Sequence, residues 1–186
     1  MLDRYAEPRR DAATLAARRE ALLDQLGWLE DESAALAPLL AALPTWAVEQ
    51  APMPGDLTAK ETFAALAALD RDVYPDWVAR LQAEEAPAFT SPTPAGPEGA
   101  NDRSLDDLLT DLRAARAAFR EAMTAVPAEA WSRAATLDGE ATDLYGLALS
   151  IVQRDADHLK ALAYRLHQAD LRPPKPGDDL PRRPEA

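Results

Sequence analysis

The chain has 186 residues, 47 % of them hydrophobic, a formal charge of −12 and no cysteine. A chain of this length and apolar content can bury one core, and without cysteine it has no disulfides, thiolate metal sites or cysteine nucleophiles. The acidic excess argues against a nucleic-acid partner, because such affinity comes largely from Lys and Arg neutralising phosphates. Residues 1–19 are charged throughout, and nowhere does the chain approach ~20 consecutive apolar residues. A cytoplasmic location and no membrane association are therefore expected. Much of the hydrophobic share is alanine, which with leucine favours closely packed helices over a sheet of β-branched residues.

Four stretches carry helical periodicity. The first spans residues 11–43, with Leu15, Leu22, Leu26, Leu29, Leu36, Leu40 and Leu43 stepping mostly by threes and fours. Pro38 lies inside it and should bend one long helix. Pro52, Pro54 and Gly55 mark a connection. The second helix, 58–83, opens on Thr58-Ala59-Lys60-Glu61, a capping-box pattern. Its stripe is Phe63, Leu66, Val73, Trp77 and Leu81, and Pro75 should bend it. Residues 86–101 are too rich in Pro and Gly for a regular helix or a central strand, and read as a long crossover or surface loop.

Ser104-Leu105-Asp106-Asp107 starts the third helix, 104–126, with a serine cap and acids in the first turn. Leu105, Leu108, Leu112, Ala115, Phe119, Ala122 and Val126 form its core stripe, and Pro127 ends it. A turn from Trp131 to Glu140 contains Asp138-Gly139, and the last helix covers 141–168. One helical domain over 1–170 is expected, followed by a flexible Pro-rich tail over 171–186. The tryptophans Trp28, Trp46, Trp77 and Trp131 read as packing anchors.

The last helix carries the chemistry. Leu144, Leu147, Ile151, Leu162 and Leu166 define an apolar stripe whose continuation lands on Arg154 and His158, one turn apart on one face. Two histidines at that spacing, joined by a third from another helix, would suit a divalent metal. An arginine cannot serve as a ligand, because its guanidinium stays protonated and offers only donors. With His158 and His167 the only histidines, and His167 near a helix end, no Ser/His/Asp set can be assigned. The glycines form no phosphate-binding loop.

Several short signatures occur together in order: Leu57-Thr58-Ala59-Lys60-Glu61, Leu66-Ala67-Ala68-Leu69-Asp70-Arg71, Ala86-Pro87-Ala88-Phe89, Glu129-Ala130-Trp131-Ser132-Arg133, the Gly139 turn, Ile151-Val152 and Asp155-Ala156-Asp157-His158-Leu159. Over residues 57–166 the chain resembles the DinB-like (damage-inducible) bundle family. The resemblance implies an all-α, up-up-down-down four-helix bundle, often a homodimer. Its metal-binding members hold a divalent ion with three histidines, one on the second helix and two four apart on the last. Relatives include thiol-cofactor-dependent transferases and isomerases and proteins regarded as metal-dependent hydrolases. The three ligand positions fall at Ala65, Arg154 and His158 here, so one histidine of three is present.

The expectation is a bundle whose metal site is lost, with no cofactor, keeping a polar pocket for a small anionic ligand or acting as a scaffold. In it Arg154 would pair with Glu61 or Asp72 on the facing helix. His158 would be a buried neutral imidazole bonded to a carboxylate or carbonyl, and Asp155 and Asp157 would form a solvated shoulder. The alternative is an active metal-dependent hydrolase or thiol transferase with an altered ligand set, His158 joined by Asp or Glu around Zn, Ni, Mn or Fe. No catalytic residue is assigned.

Overall fold

The computed structural model describes residues 11–171 apart from 42, 52 and 54. Of the tail expected over 171–186, Leu171 belongs to the last helix and residues 172–186 lie outside the described residues, as do Pro52, Pro54 and the side chains of Leu29 and Leu166. Helix α1 (Ala12–Ala41) begins where the Asp11 carboxylate accepts from the Thr14 backbone N–H and hydroxyl at 3.0 and 2.8 Å. It runs through Pro38 without dividing, and a short α2 (Thr45–Glu49) follows.

The second long helix starts at Thr58 as its sequence requires. The Thr58 hydroxyl accepts from the Glu61 N–H at 3.0 Å, and Glu61 Oε2 accepts from the Thr58 N–H at 2.9 Å, closing the capping box. The helix is then interrupted. α3 (Ala59–Ala68) passes into one π turn over Leu69–Val73 before α4 (Tyr74–Ala83) resumes. Pro75 explains the interruption: it has no N–H for the carbonyl one turn back, and the Tyr74 N–H reaches five residues back to the Leu69 carbonyl. The bend expected at Pro75 is thus a widened turn, a feature often found at functional sites. α5 (Leu105–Ala125) is capped by the Ser104 hydroxyl, and α6 (Leu144–Leu171) completes the helices.

Three short strands join the loops at one end, where the sequence suggested only a loop and a turn. β1 (Ala88–Phe89) pairs in parallel with β2 (Ala135–Leu137), which pairs antiparallel with β3 (Glu140–Thr142). Asp138 (φ 53°) and Gly139 (φ 86°) are both left-handed, as the tight primed hairpin turn between β2 and β3 demands. β1 lies at the sheet's edge, the place where a Pro-rich segment can still pair.

The core has two parts, and they reveal the helix directions. Toward one end, Leu22 and Leu26 of α1 meet Trp77 and Leu81 of α4, Phe119 and Met123 of α5, and Leu144 and Leu147 of α6. Toward the other, Leu40 meets Phe63 and Leu66 of α3, Leu108 and Leu112 of α5, and Leu162 of α6. The start of α1 therefore shares an end with the start of α6 and with the finishes of α4 and α5. An all-α four-helix bundle is what the chain forms, but its directions run up-down-down-up, correcting the up-up-down-down order implied by the resemblance. The physical reason is the segment 84–104: Phe89 packs in the first part and Ala100 in the second. This connection returns the chain along the bundle's length, so α5 runs parallel to α3 and α4.

Trp77 and Trp131 are buried anchors, with Trp131 against Tyr145 at 5.1 Å between ring centroids. Trp28 is not, being 67 % exposed on α1. No described helix is long and apolar enough to cross a membrane.

Candidate functional site

Three charges are buried where α5 and α6 face the π turn. Arg116 is 3 % exposed, Asp70 and Asp155 1 % each. The Arg116 guanidinium lies between the two carboxylates, with Nε 2.8 Å from Asp70 Oδ2 and Nη1 2.6 Å from Asp155 Oδ2. The two contacts differ in kind. Nη1 donates an aligned hydrogen bond to Asp155, whereas Nε stands beside Asp70 without its N–H directed at the oxygen, and among the described residues neither Asp70 oxygen receives an aligned hydrogen bond. A buried carboxylate with no aligned donor is an expensive ion.

Burial pushes the Asp70 carboxyl up to about 7; the Arg116 charge opposes the rise, the Asp155 charge adds to it, and the short Arg116 contact lowers it in turn. Burial also raises Asp155, against the pull of Arg116 and its hydrogen bond. Arg116 itself is held above its ordinary value because the two carboxylates outweigh its own desolvation. One turn after Asp70, the Tyr74 hydroxyl is pushed up to about 12 by burial and the Asp155 charge, with Arg154 opposing. That hydroxyl is close enough to feel Arg154 but makes no aligned hydrogen bond to any group.

Arg154 sits half-buried at the edge of this cluster. Its Nη2 donates to Ser91 Oγ at 2.8 Å, and its Nη1 is buried without an aligned acceptor among the described residues. Ser91, in the loop after β1, is itself fixed by its N–H donating to Asp138 Oδ1 at 2.8 Å. The hairpin turn thus positions the serine that holds the arginine. The Ser91 hydrogen bonds also hold the exposed Asp138 carboxyl below its ordinary value, with a smaller contribution from Arg154.

The partners expected for Arg154 need correction. Glu61 closes the capping box at Thr58, Asp72 is exposed and lies 3.9 Å from Arg71, and among the described residues Arg154 donates to Ser91. Asp155 is not a solvated shoulder. The buried stripe of α6 runs through Leu144, Ala148, Ile151, Asp155 and Leu162, one position beyond the line drawn through Arg154 and His158, both of which are half-buried. Asp157 and His167 are exposed. His158 lies near enough to Asp155 for its charge to lower that carboxyl's pKa. Ala65 is buried and contributes a methyl group.

Asp70 and Arg116 escaped the sequence reading, although a signal was present. Asp70 falls midway in the series Leu66, Asp70, Tyr74, and Arg116 between Leu112 and Phe119, so each puts a charge in core register. Neither residue marks its partner, which comes from a helix far along the chain.

The three positions at which the resemblance implies metal ligands, Ala65, Arg154 and His158, do not fit a metal. They present a methyl group, a permanently protonated guanidinium and one imidazole, and one nitrogen donor does not make a tight site. Among the described residues, no three His, Asp or Glu side chains are grouped to hold a metal ion.

No family model and no curated protein matches the chain. Among solved structures, YfiT from Bacillus subtilis, described as "a probable metal-dependent hydrolase with an unusual four-helix bundle topology", aligns with a TM-score of 0.64 at 11 % identity, covering 89 % of this chain and 94 % of that one. At that identity the likeness establishes the fold: this chain is built as the same kind of four-helix bundle.

Proposed function

We propose that this chain is a bundle of metal-dependent-hydrolase ancestry that has exchanged its metal for an arginine-centred polar site, and that the site binds a small anionic ligand. The observation that carries this reading is Arg154 Nη1, a buried cationic donor without an aligned acceptor among the described residues, on a side chain anchored by Ser91. A buried donor left unpaired costs about 1–3 kcal/mol, more when charged, and a bound carboxylate or oxyanion would recover it. The Tyr74 hydroxyl, in polar contact with Arg154 but without an aligned hydrogen bond among the described residues, supplies a second polar group beside it. Ala65 and Arg154 at the ligand positions support loss of the metal.

Two measurements test the reading. Titration of the protein with acetate and sulfate, followed by NMR, is expected to move the signals of Ser91 and Arg154 and to lose affinity at least tenfold in Arg154→Gln. Equal affinity in the variant would refute it. Metal analysis of untagged protein purified without chelator is expected to find no stoichiometric transition metal; about one tightly held metal per chain would instead support the altered ligand set around His158. The homodimer implied by the family resemblance belongs to the same reading. It is supported by Trp28 and Leu39, 67 % and 65 % exposed and three turns apart on one face of α1, and light scattering tests it.

A further inference from the structure

We propose that the site takes up its anion together with one proton, and that Asp70 carries the proton. The inference rests on the anion-binding reading above and adds to it a charge balance. Without ligand, the cluster and its edge hold two permanent cations, Arg116 and Arg154, two carboxylates, Asp70 and Asp155, and the His158 imidazole near Asp155. With the four charged groups ionised and His158 in its neutral form, the set is neutral. A monoanion accepted by Arg154 would leave one uncompensated negative charge among groups shielded from water, where a lone charge is strongly disfavoured. Protonating one carboxylate restores neutrality.

The geometry selects which one. Asp155 accepts an aligned 2.6 Å hydrogen bond from Arg116, and Arg154 and His158 also favour its ionised form. Asp70 has only the 2.8 Å Nε contact, which lowers its pKa but is not an aligned hydrogen bond, and among the described residues its oxygens receive no aligned donor. Among the described residues, no second cation faces it. From α5 it faces Arg116, from α6 Asp155, and one turn along its own chain the neutral Tyr74. On α3, Lys60 is engaged by Glu49 and the Asn101 carbonyl, and Glu61 by the Thr58 cap. Arg71 and Asp72 beside it in the π turn are exposed. Burial already raises the Asp70 carboxyl into the neutral range, so a modest change in local charge decides whether it holds a proton.

Acetate is a suitable probe because it stays ionised throughout the neutral range. Its dissociation constant for the full chain would be measured by NMR titration from pH 6 to 8.5 in cationic buffers. Wild type is expected to lose affinity above pH 7, approaching tenfold per pH unit, the slope of one proton bound per anion. Asp70→Asn should bind acetate with no such slope, while His158→Gln should keep it. A flat wild-type profile with binding intact overturns the proposal alone. So does a slope that survives Asp70→Asn and vanishes in His158→Gln, which would place the proton on the imidazole. Failure of acetate to bind at any pH sinks the anion-binding reading and this proposal with it. Should Asp70→Asn not fold, the Asp70 carboxyl carbon in wild type at pH 8 gives the same answer. Its NMR shift should move toward the protonated position on adding saturating acetate, and an unchanged shift refutes the proposal.

Discussion

Replacing Arg116 by methionine keeps most of the side chain's volume and removes the charge shared by two carboxylates. The guanidinium is 3 % exposed and lies 2.8 and 2.6 Å from Asp70 and Asp155. Breaking a buried ion pair from one side typically costs ~3–5 kcal/mol, because the remaining charge is left uncompensated. Here two acids are left, and each can escape the cost by taking a proton. The loss should therefore depend on pH: about 3–5 kcal/mol or more at pH 8, and about half of that at pH 5. Urea unfolding at both pH values, with midpoints and slopes fitted together, measures it. The triple variant Arg116→Met, Asp70→Asn, Asp155→Asn should recover part of the loss at pH 8, since no buried charge remains. If Arg116→Met lies within 1 kcal/mol of wild type at pH 8, by the same order-of-magnitude reasoning, the triad does not have the energetics its geometry implies.

Asp70 should make the bundle lose stability as pH rises. Its folded value of about 7 lies above the ordinary 3.8, so the folded state holds a proton that the unfolded chain releases. The stabilising effect is complete below the unfolded value and is lost as pH rises through the folded one, a span worth about 4 kcal/mol. In Asp70→Asn the corresponding fall in urea-unfolding free energy between pH 4 and pH 8 should be much smaller; an unchanged profile would assign the dependence elsewhere. Tyr74→Phe removes a buried hydroxyl that has no aligned hydrogen bond among the described residues. It should cost less than about 1 kcal/mol, or stabilise, while weakening acetate binding, and a large thermal destabilisation would reveal a hydrogen bond at that hydroxyl. Thr58→Ala opens the capping box and also removes the 2.8 Å bond to the Asn101 side chain. A loss of about 1–2 kcal/mol is expected, with amide exchange speeding up first in the opening turn of α3.

Elements governed by local chemistry were legible in the chain itself. Thr58 with Glu61, Ser104 with its following acids, and Asp138-Gly139 carry their hydrogen-bond partners or backbone preferences within a few residues, so caps and turn could be read directly. The leucine spacing of α1, α5 and α6 likewise announced helices, because side chains three and four apart share a face whatever they pack against. Pro75 foretold a disturbance, because it leaves the carbonyl one turn back without its donor, but a bend and a π turn can both accommodate that loss, and the structure takes the π turn.

Pairing over long sequence distance was decided by tertiary structure alone. Arg154 could have met any acid on a facing helix. It meets Ser91, because the segment after α4 runs back along the bundle and pairs β1 with β2, bringing that loop over α6. The same return path makes α5 parallel to α3 and α4 and lets Arg116 lie between Asp70 and Asp155. Composition and periodicity determined that this chain is a bundle of helices, with Arg154 and His158 one turn apart on its last helix. Which charges share the centre depended on the direction of each helix, and direction is set by connections whose sequence carries no periodic signal.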